Sequence, residues 1–365
     1  MTLRPDPTIH RLLISSTARF VGEYEADGIA INLAWPDMMR TTVVGSSKRT
    51  ALVISFEAPE PPKVVGTVIP NYEHVGDHVG AYLAVLFGKR FDSLGIVESH
   101  GRFGLPDASA YGVPYRISSP HNSDLPRVDI PVPLNFTEVQ RIHKLLHGET
   151  DNVDVLRRFN AACQFYYRAV RNVDSDPEVA YLHLTMAGEI LAGAEDVSDV
   201  DLLDEQLKAV LDQVTTALAD RGAAARFLRS RLYQVKRRFK HVLNSFLDSD
   251  FFGRTEAEHG YGRLKHENIG DRLAAAYDLR SKYVHSGESF GRWISPGRSN
   301  DEVQLGRPVV ADKEFSRTLQ MAPTFVGLER IMRYCLLRFA ETHFGIDLAT
   351  EKPTVPSGAT ANAET

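Results

Sequence analysis

Along the first 135 residues the apolar positions come in short runs. Thr41, Thr42, Val43 and Val44, then Ala51 through Phe56, then Val64, Val65, Val68 and Ile69 are β-branched or apolar stretches cut off by Gly, Ser and Pro clusters. That is the pattern of strands and turns. One stretch departs from it: Val79, Tyr82, Leu83, Leu86 and Phe87 recur at i, i+3, i+4, i+7 and i+8, predicting a helix with Asp77 as its cap. Residues 101–133, rich in Pro, Ser and Asp, predict an irregular connector ending in a short strand. Residues 1–135 are therefore read as an α+β domain, mostly short strands, without a nameable fold.

From Phe136 the period becomes that of helices. Val139, Ile142, Leu145 and Leu146 follow Thr137 as a cap, and Val155, Phe159, Ala162, Cys163, Tyr166 and Val170 keep helical spacing toward Pro177. Residues 180–191 are apolar almost all round, the mark of a buried helix. Further helices are predicted over 202–218, 226–247, 268–285 and 325–344. Residues 136–346 thus read as an all-α bundle. The connection 287–323 between its last two helices is long, a kind that is often functional or mobile. The Pro/Ala/Thr-rich tail, 347–365, is predicted to be disordered.

Composition narrows the class. A chain of 365 residues, 43% hydrophobic and 24% charged, is ordinary for a globular protein of two domains. No run of 18 apolar residues predicts a membrane span. The opening residues lack the layout of a signal peptide, and two cysteines, Cys163 and Cys335, are too few for a disulfide framework. A cytoplasmic location is the expectation.

The formal net charge is −5, so no global basic signature points to nucleic acid. Residues 1–150 carry 14 Lys/Arg against 16 Asp/Glu, so neither half is basic. Residues 221–247 are the exception, with eight Lys/Arg and no acid. At about 100° per residue, Leu228, Leu232, Val235, Phe239, Val242, Leu243 and Phe246 fall on one stripe. Arg226, Arg229, Lys236, Arg237 and Lys240 fall on another. Such a helix can neutralise phosphates and bind RNA; the plainer reading is a solvated face.

The sharper feature lies at 275–287. Leu273, Ala276, Tyr277, Leu279 and Arg280 continue a helix that Gly287 can stop, which places His285 in its last turn. There the negative end of the helix dipole favours the protonated ring. Arg280 and His285 are five residues apart, about 140° around a helix, so one straight helix cannot turn both onto one phosphate. Either the helix breaks or a second chain completes the site. On residue types alone, a structural histidine is the better account of the pattern, since one Arg and one His make a short motif.

The Arg-x4-His arrangement within residues 277–287 resembles the signature of HEPN domains, in particular their Apea-like branch. Phe165-Tyr166-Tyr167-Arg168-Ala169, followed by the helix of residues 180–191 with its acidic Glu189, is similar to that branch's early helices. The basic helix before the motif and a closing helix after it keep the order, over residues 150–345. The resemblance implies a dimeric helical domain, often a metal-independent RNA endonuclease of toxin and anti-phage systems. Arg280 and His285 would be its catalytic pair, supported by Ser281, Tyr283 and Glu189 and joined by their partner-chain copies. Two positions depart from the family. Ser281 stands where its nucleases commonly have Asn, Asp or His, and Gly287 stands where adenylylated toxins have Tyr.

The chemistry suits these residue types. Cleaving RNA without a metal or cofactor needs a base for the 2′-hydroxyl, an acid for the leaving oxygen and a cation for the phosphate. His285 and Arg280 supply them, giving 2′,3′-cyclic phosphate ends. His74/His78 and His143/His147 lack an HExxH pattern and a third ligand, so no metal site is expected. A phosphate-binding loop is absent from the sequence. The alternative is a non-catalytic helical module that binds RNA or a partner protein. If the chain is the nuclease, its N-terminal domain is expected to sense a trigger, such as a phage-derived one, or to hold the nuclease in check, because a free RNase would be toxic.

Overall fold

The computed structural model describes residues 6–34, 49–62, 64–198, 202–203, 205–217, 235–295 and 299–348. The N-terminal part is an antiparallel sheet of β1 (Ile9–Ser16), β2 (Tyr24–Ala26), β3 (Ile29–Leu33), β4 (Thr50–Glu57), β5 (Phe91–Ser99) and β6 (Arg102–Phe103). Their order is β2-β3-β4-β1-β5-β6. The central strand β1 pairs with β4 from Ile9↔Glu57 to Ser16↔Thr50 and with β5 on its other side. Its alternation turns Leu12 and Ile14 into the core. Helix α1 (Glu73–Phe87) covers that face with Val79, Leu83, Leu86 and Phe87.

Several sequence expectations change here. The run 64–69 is not a strand: it is a loop in which Val65 is fully exposed, between Pro62 and Pro70 and with Gly66 at φ +93°. β-branched residues make a strand only where another strand accepts their backbone groups. The run 41–44 lies outside the described residues. Helix α1 starts at Glu73, so Asp77 is interior and pairs with Arg171 instead of capping. Asn135, not Thr137, caps the next element, accepting from the Thr137 N–H. That element is a 3₁₀ turn, Phe136–Ile142, leading into α2 (His143–Leu146). The connector 101–133 ends in loop, not strand.

The C-terminal part is helical. It comprises α3 (Val153–Asn172), α4 (Pro177–Ala194), α5 (Glu205–Ala217), α6 (Val235–Phe246), the short α7 (Ser249–Gly253), α8 (Ile269–Ser286), α9 (Lys313–Met321) and α10 (Phe325–Phe344). Helix α3 is capped by Asn152, and α4 by Asp176 with Pro177 in its first turn. Helix α4 is buried along most of its length, as its all-round apolarity predicts.

Sheet and helices share one continuous hydrophobic core. Charged groups also cross the 135/136 boundary. Arg127 makes two 2.7 Å bonds to Glu329 of α10, and Arg333 of α10 donates to Asp129 at 2.6 Å and to the carbonyls of Val85, Leu86 and Ile130. The connection 287–323 is bolted down. Buried Glu302 accepts from the backbone N–H of Glu256 and Leu264, both at 2.8 Å, from the Thr255 hydroxyl and from Arg330. Gly327 lets α10 meet it, because a Cβ there would sit 2.1 Å from the Glu302 carbonyl oxygen. Of the predicted tail, Leu348 packs into the core beside Ile346, and residues 349–365 lie outside the described residues. No helix among the described residues is long and apolar enough to cross a membrane.

Candidate functional site

Helix α8 carries the motif. Leu273, Ala276 and Leu279 turn inward, and Gly287 ends the helix in the left-handed region at φ +66°, its N–H bonded to the Tyr283 carbonyl at 3.0 Å. That stop is the one expected from sequence, and His285 stands in the last turn, exposed to solvent.

Arg280 points the other way. Its guanidinium Nη2 lies 3.2 Å from Glu189 of α4, and its side chain is only 22% exposed. Its Nε is shut from solvent with no hydrogen-bond partner among the described residues. The Tyr277 ring lies beneath the guanidinium, 5.9 Å away. Burial pushes the Glu189 carboxyl above its ordinary range, while Arg280 and the Tyr277 hydroxyl pull it back. Arg280 and Glu189 thus meet as a partly buried cation and a carboxylate that gives up its charge more readily than an exposed one. Within one chain Arg280 is paired to Glu189 of α4 and His285 is exposed to solvent, about 140° apart around the helix.

The other expected residues divide. Ser281 is half-buried beside Arg280, and Tyr283 packs its ring 5.2 Å from Phe290. On α6, Phe239, Val242 and Leu243 are buried as the stripe predicts. The cationic face is less free than sequence suggests. Lys236 binds Asp278 at 2.6 Å, and Lys240 lies 3.8 Å from Asp271, both acids on α8. The compensating acids absent from 221–247 come from the neighbouring helix. Arg237 is on the same helix and half-buried, whereas Arg226 and Arg229 lie outside the described residues.

Sequence reasoning missed Tyr277, Asp271 and Asp278. It also missed Lys282, placed 3.7 Å from both Glu288 and Asp312. Pairing between helices leaves no local pattern for Asp271 and Asp278, whereas Tyr277, three residues before Arg280 on the same helix, stood at a spacing that could have shown it. The histidine pairs gather no metal cluster: among the described residues no group of three potential ligands forms. His143 instead bonds the Tyr24 hydroxyl at 2.8 Å. Both cysteines are free and buried. Comparison with family models, with curated proteins and with solved structures returns no match to this chain.

Proposed function

We propose that the chain is a metal-independent RNA endonuclease of the HEPN kind, acting as a homodimer. Arg280 holds the scissile phosphate and His285 moves the protons. The observation that carries this reading is the state of Arg280, a guanidinium kept partly desolvated by Glu189 and Tyr277 on the helix whose last turn exposes His285. A guanidinium so placed has lost water that a phosphate can replace with charge-assisted bonds. An exposed imidazole can take the 2′-hydroxyl proton and return one to the leaving 5′-oxygen.

Lys236 and Lys240 beside the motif, with Arg237, supply the cationic approach. The sheet part, joined to α10 through Arg127 and Arg333, is the element through which a regulatory partner or phage-derived trigger would act.

A second reading has its own support. The pairing of Arg280 with Glu189, and of Lys236 with Asp278, neutralises the cations that substrate would need. This favours a non-catalytic module that binds RNA or a protein.

One experiment separates the two. Purified protein is incubated with single-stranded RNA and with DNA in EDTA, and product ends are identified. Cleavage of RNA alone to 2′,3′-cyclic phosphate and 5′-hydroxyl ends, lost in Arg280→Ala and in His285→Ala, establishes the nuclease. RNA binding without cleavage, the same in both variants, establishes the module. Growth arrest on overexpression should follow the same two residues.

A further inference from the structure

The chain leaving the motif helix folds back at once. Glu288 lies 3.7 Å from Lys282, and Phe290, 1% exposed, is plugged between the rings of Tyr181 of α4 and Tyr283 of α8, at 5.8 and 5.2 Å. Glu178 closes the strap: its Oε1 accepts from the Ser289 hydroxyl and from the Gly291 N–H, both at 2.6 Å. The strap then passes to α10, where the Phe325 N–H donates to the Ile294 carbonyl at 2.7 Å. None of these residues belongs to the Arg-x4-His motif except Lys282 and Tyr283, which lie within it.

Glu178 and Glu189 stand on one buried helix, α4, eleven residues or about 16 Å apart along its axis. One carboxylate holds Arg280. The other holds the segment that follows His285. The last turn of any helix has carbonyls without intrahelical partners and frays unless something fixes it. Here the fixing groups are Gly287 at the stop and the Phe290 plug against Tyr283, two residues before His285. The plug stays seated while Glu178 grips the residues on both sides of Phe290.

We infer that Glu178 is a positioning residue for His285, so that α4 sets the placement of both members of the pair, Arg280 through Glu189 and His285 through the strap. The inference rests on the proposed nuclease reading. Glu178 is too far along α4 from Glu189 to act on Arg280, and among the described residues its side-chain hydrogen bonds go to Ser289 and Gly291 of the strap.

The test uses the full chain with Glu178→Ala and Glu178→Gln, measuring single-stranded RNA cleavage and amide hydrogen exchange over residues 283–288. Displacements near 1 Å can cost up to about 100-fold in rate, so Glu178→Ala is expected to lower kcat about tenfold. Its KM should change less than twofold, with faster exchange at 284–288. Gln keeps an acceptor oxygen for both donors and is expected to recover kcat to within about threefold, with wild-type exchange. A merely structural role would lower the melting temperature without this split between kcat and KM.

An active enzyme in which Glu178→Ala leaves kcat and exchange unchanged overturns the inference alone. Equal loss in Ala and Gln also overturns it, since charge and not grip would then matter. A wild-type chain that cleaves no RNA overturns the nuclease reading and the positioning role together.

Discussion

Two titratable residues show how local surroundings set chemistry that residue type alone does not. Lys89 is buried, donating to the Pro120 carbonyl at 2.6 Å and to Ser123 at 3.1 Å, with no carboxylate ion pair among the described residues. Burial, with Arg127 nearby, lowers its pKa to about 7. A lysine depressed in the folded state binds fewer protons there than in the unfolded chain between that value and its ordinary 10.5. Stability should therefore rise as pH rises from about 7 toward 10, and the cost of the buried charge is felt in full below 7. Lys89→Met keeps the length and leaves the Pro120 carbonyl a donor in Ser123 at 3.2 Å. Denaturant melts should show that the variant lacks this alkaline gain and is more stable than wild type at pH 6, by on the order of a few kcal/mol.

Glu189 works oppositely, its carboxyl raised by burial. Since it occupies the cation that would receive phosphate, Glu189→Gln should tighten RNA binding about threefold at fixed salt, a change of well under 1 kcal/mol. Weaker binding in a filter or anisotropy titration would mean that the carboxylate orients Arg280 more than it competes.

At the level of elements, long periodic helices were legible and pairing was not. Helices α3, α4 and α10 follow the apolar spacing closely because each buries a broad stripe, and α10 spans 325–344 as read from sequence. The same reading could not tell β4 from the run 64–69, since both are β-branched and only one has neighbouring strands. It also could not see that Glu329, Arg330 and Arg333 of α10 are fully buried. Charges in a helix suggest a solvent face unless their partners, here Arg127, Glu302 and Asp129, are known. Removing one partner strands a buried charge, so Asp129→Ala, which leaves Arg333 unpaired, should cost about 3–5 kcal/mol in chemical denaturation. A loss under about 1 kcal/mol would show that the backbone carbonyls around Arg333 suffice.

For α6 the ion pairs to α8 change the expectation from sequence. Replacing Arg229, Lys236 and Arg237 with Ala should flatten the salt dependence of RNA binding by at most about 0.7 for each single-strand phosphate no longer neutralised. Lys236, engaged with Asp278, should contribute least. An unchanged slope returns the helix to a plain surface.

For the whole molecule, the geometry that sequence could supply was an angle, and the structure gives that angle its consequence. Arg280 is turned onto α4 and His285 outward, about 140° away around α8. If both residues act on one phosphate, this arrangement calls for groups from two chains. Closed two-fold dimers are the commonest way for a protein to supply them. Sedimentation should show a dimer, and dilution into the monomer range should abolish cleavage. Mixing an Arg280→Ala chain with a His285→Ala chain then discriminates between site designs. If each site takes Arg280 from one chain and His285 from the other, a heterodimer holds one intact site and about a quarter of wild-type activity returns, half of the randomly paired dimers having one of two sites. If each site uses both pairs, every dimer lacks two groups and the mixture stays inactive. A protein that sediments as a monomer at the concentrations where it cleaves RNA would defeat the composite site, because then Arg280 and His285 of one chain must reach the same phosphate despite facing apart.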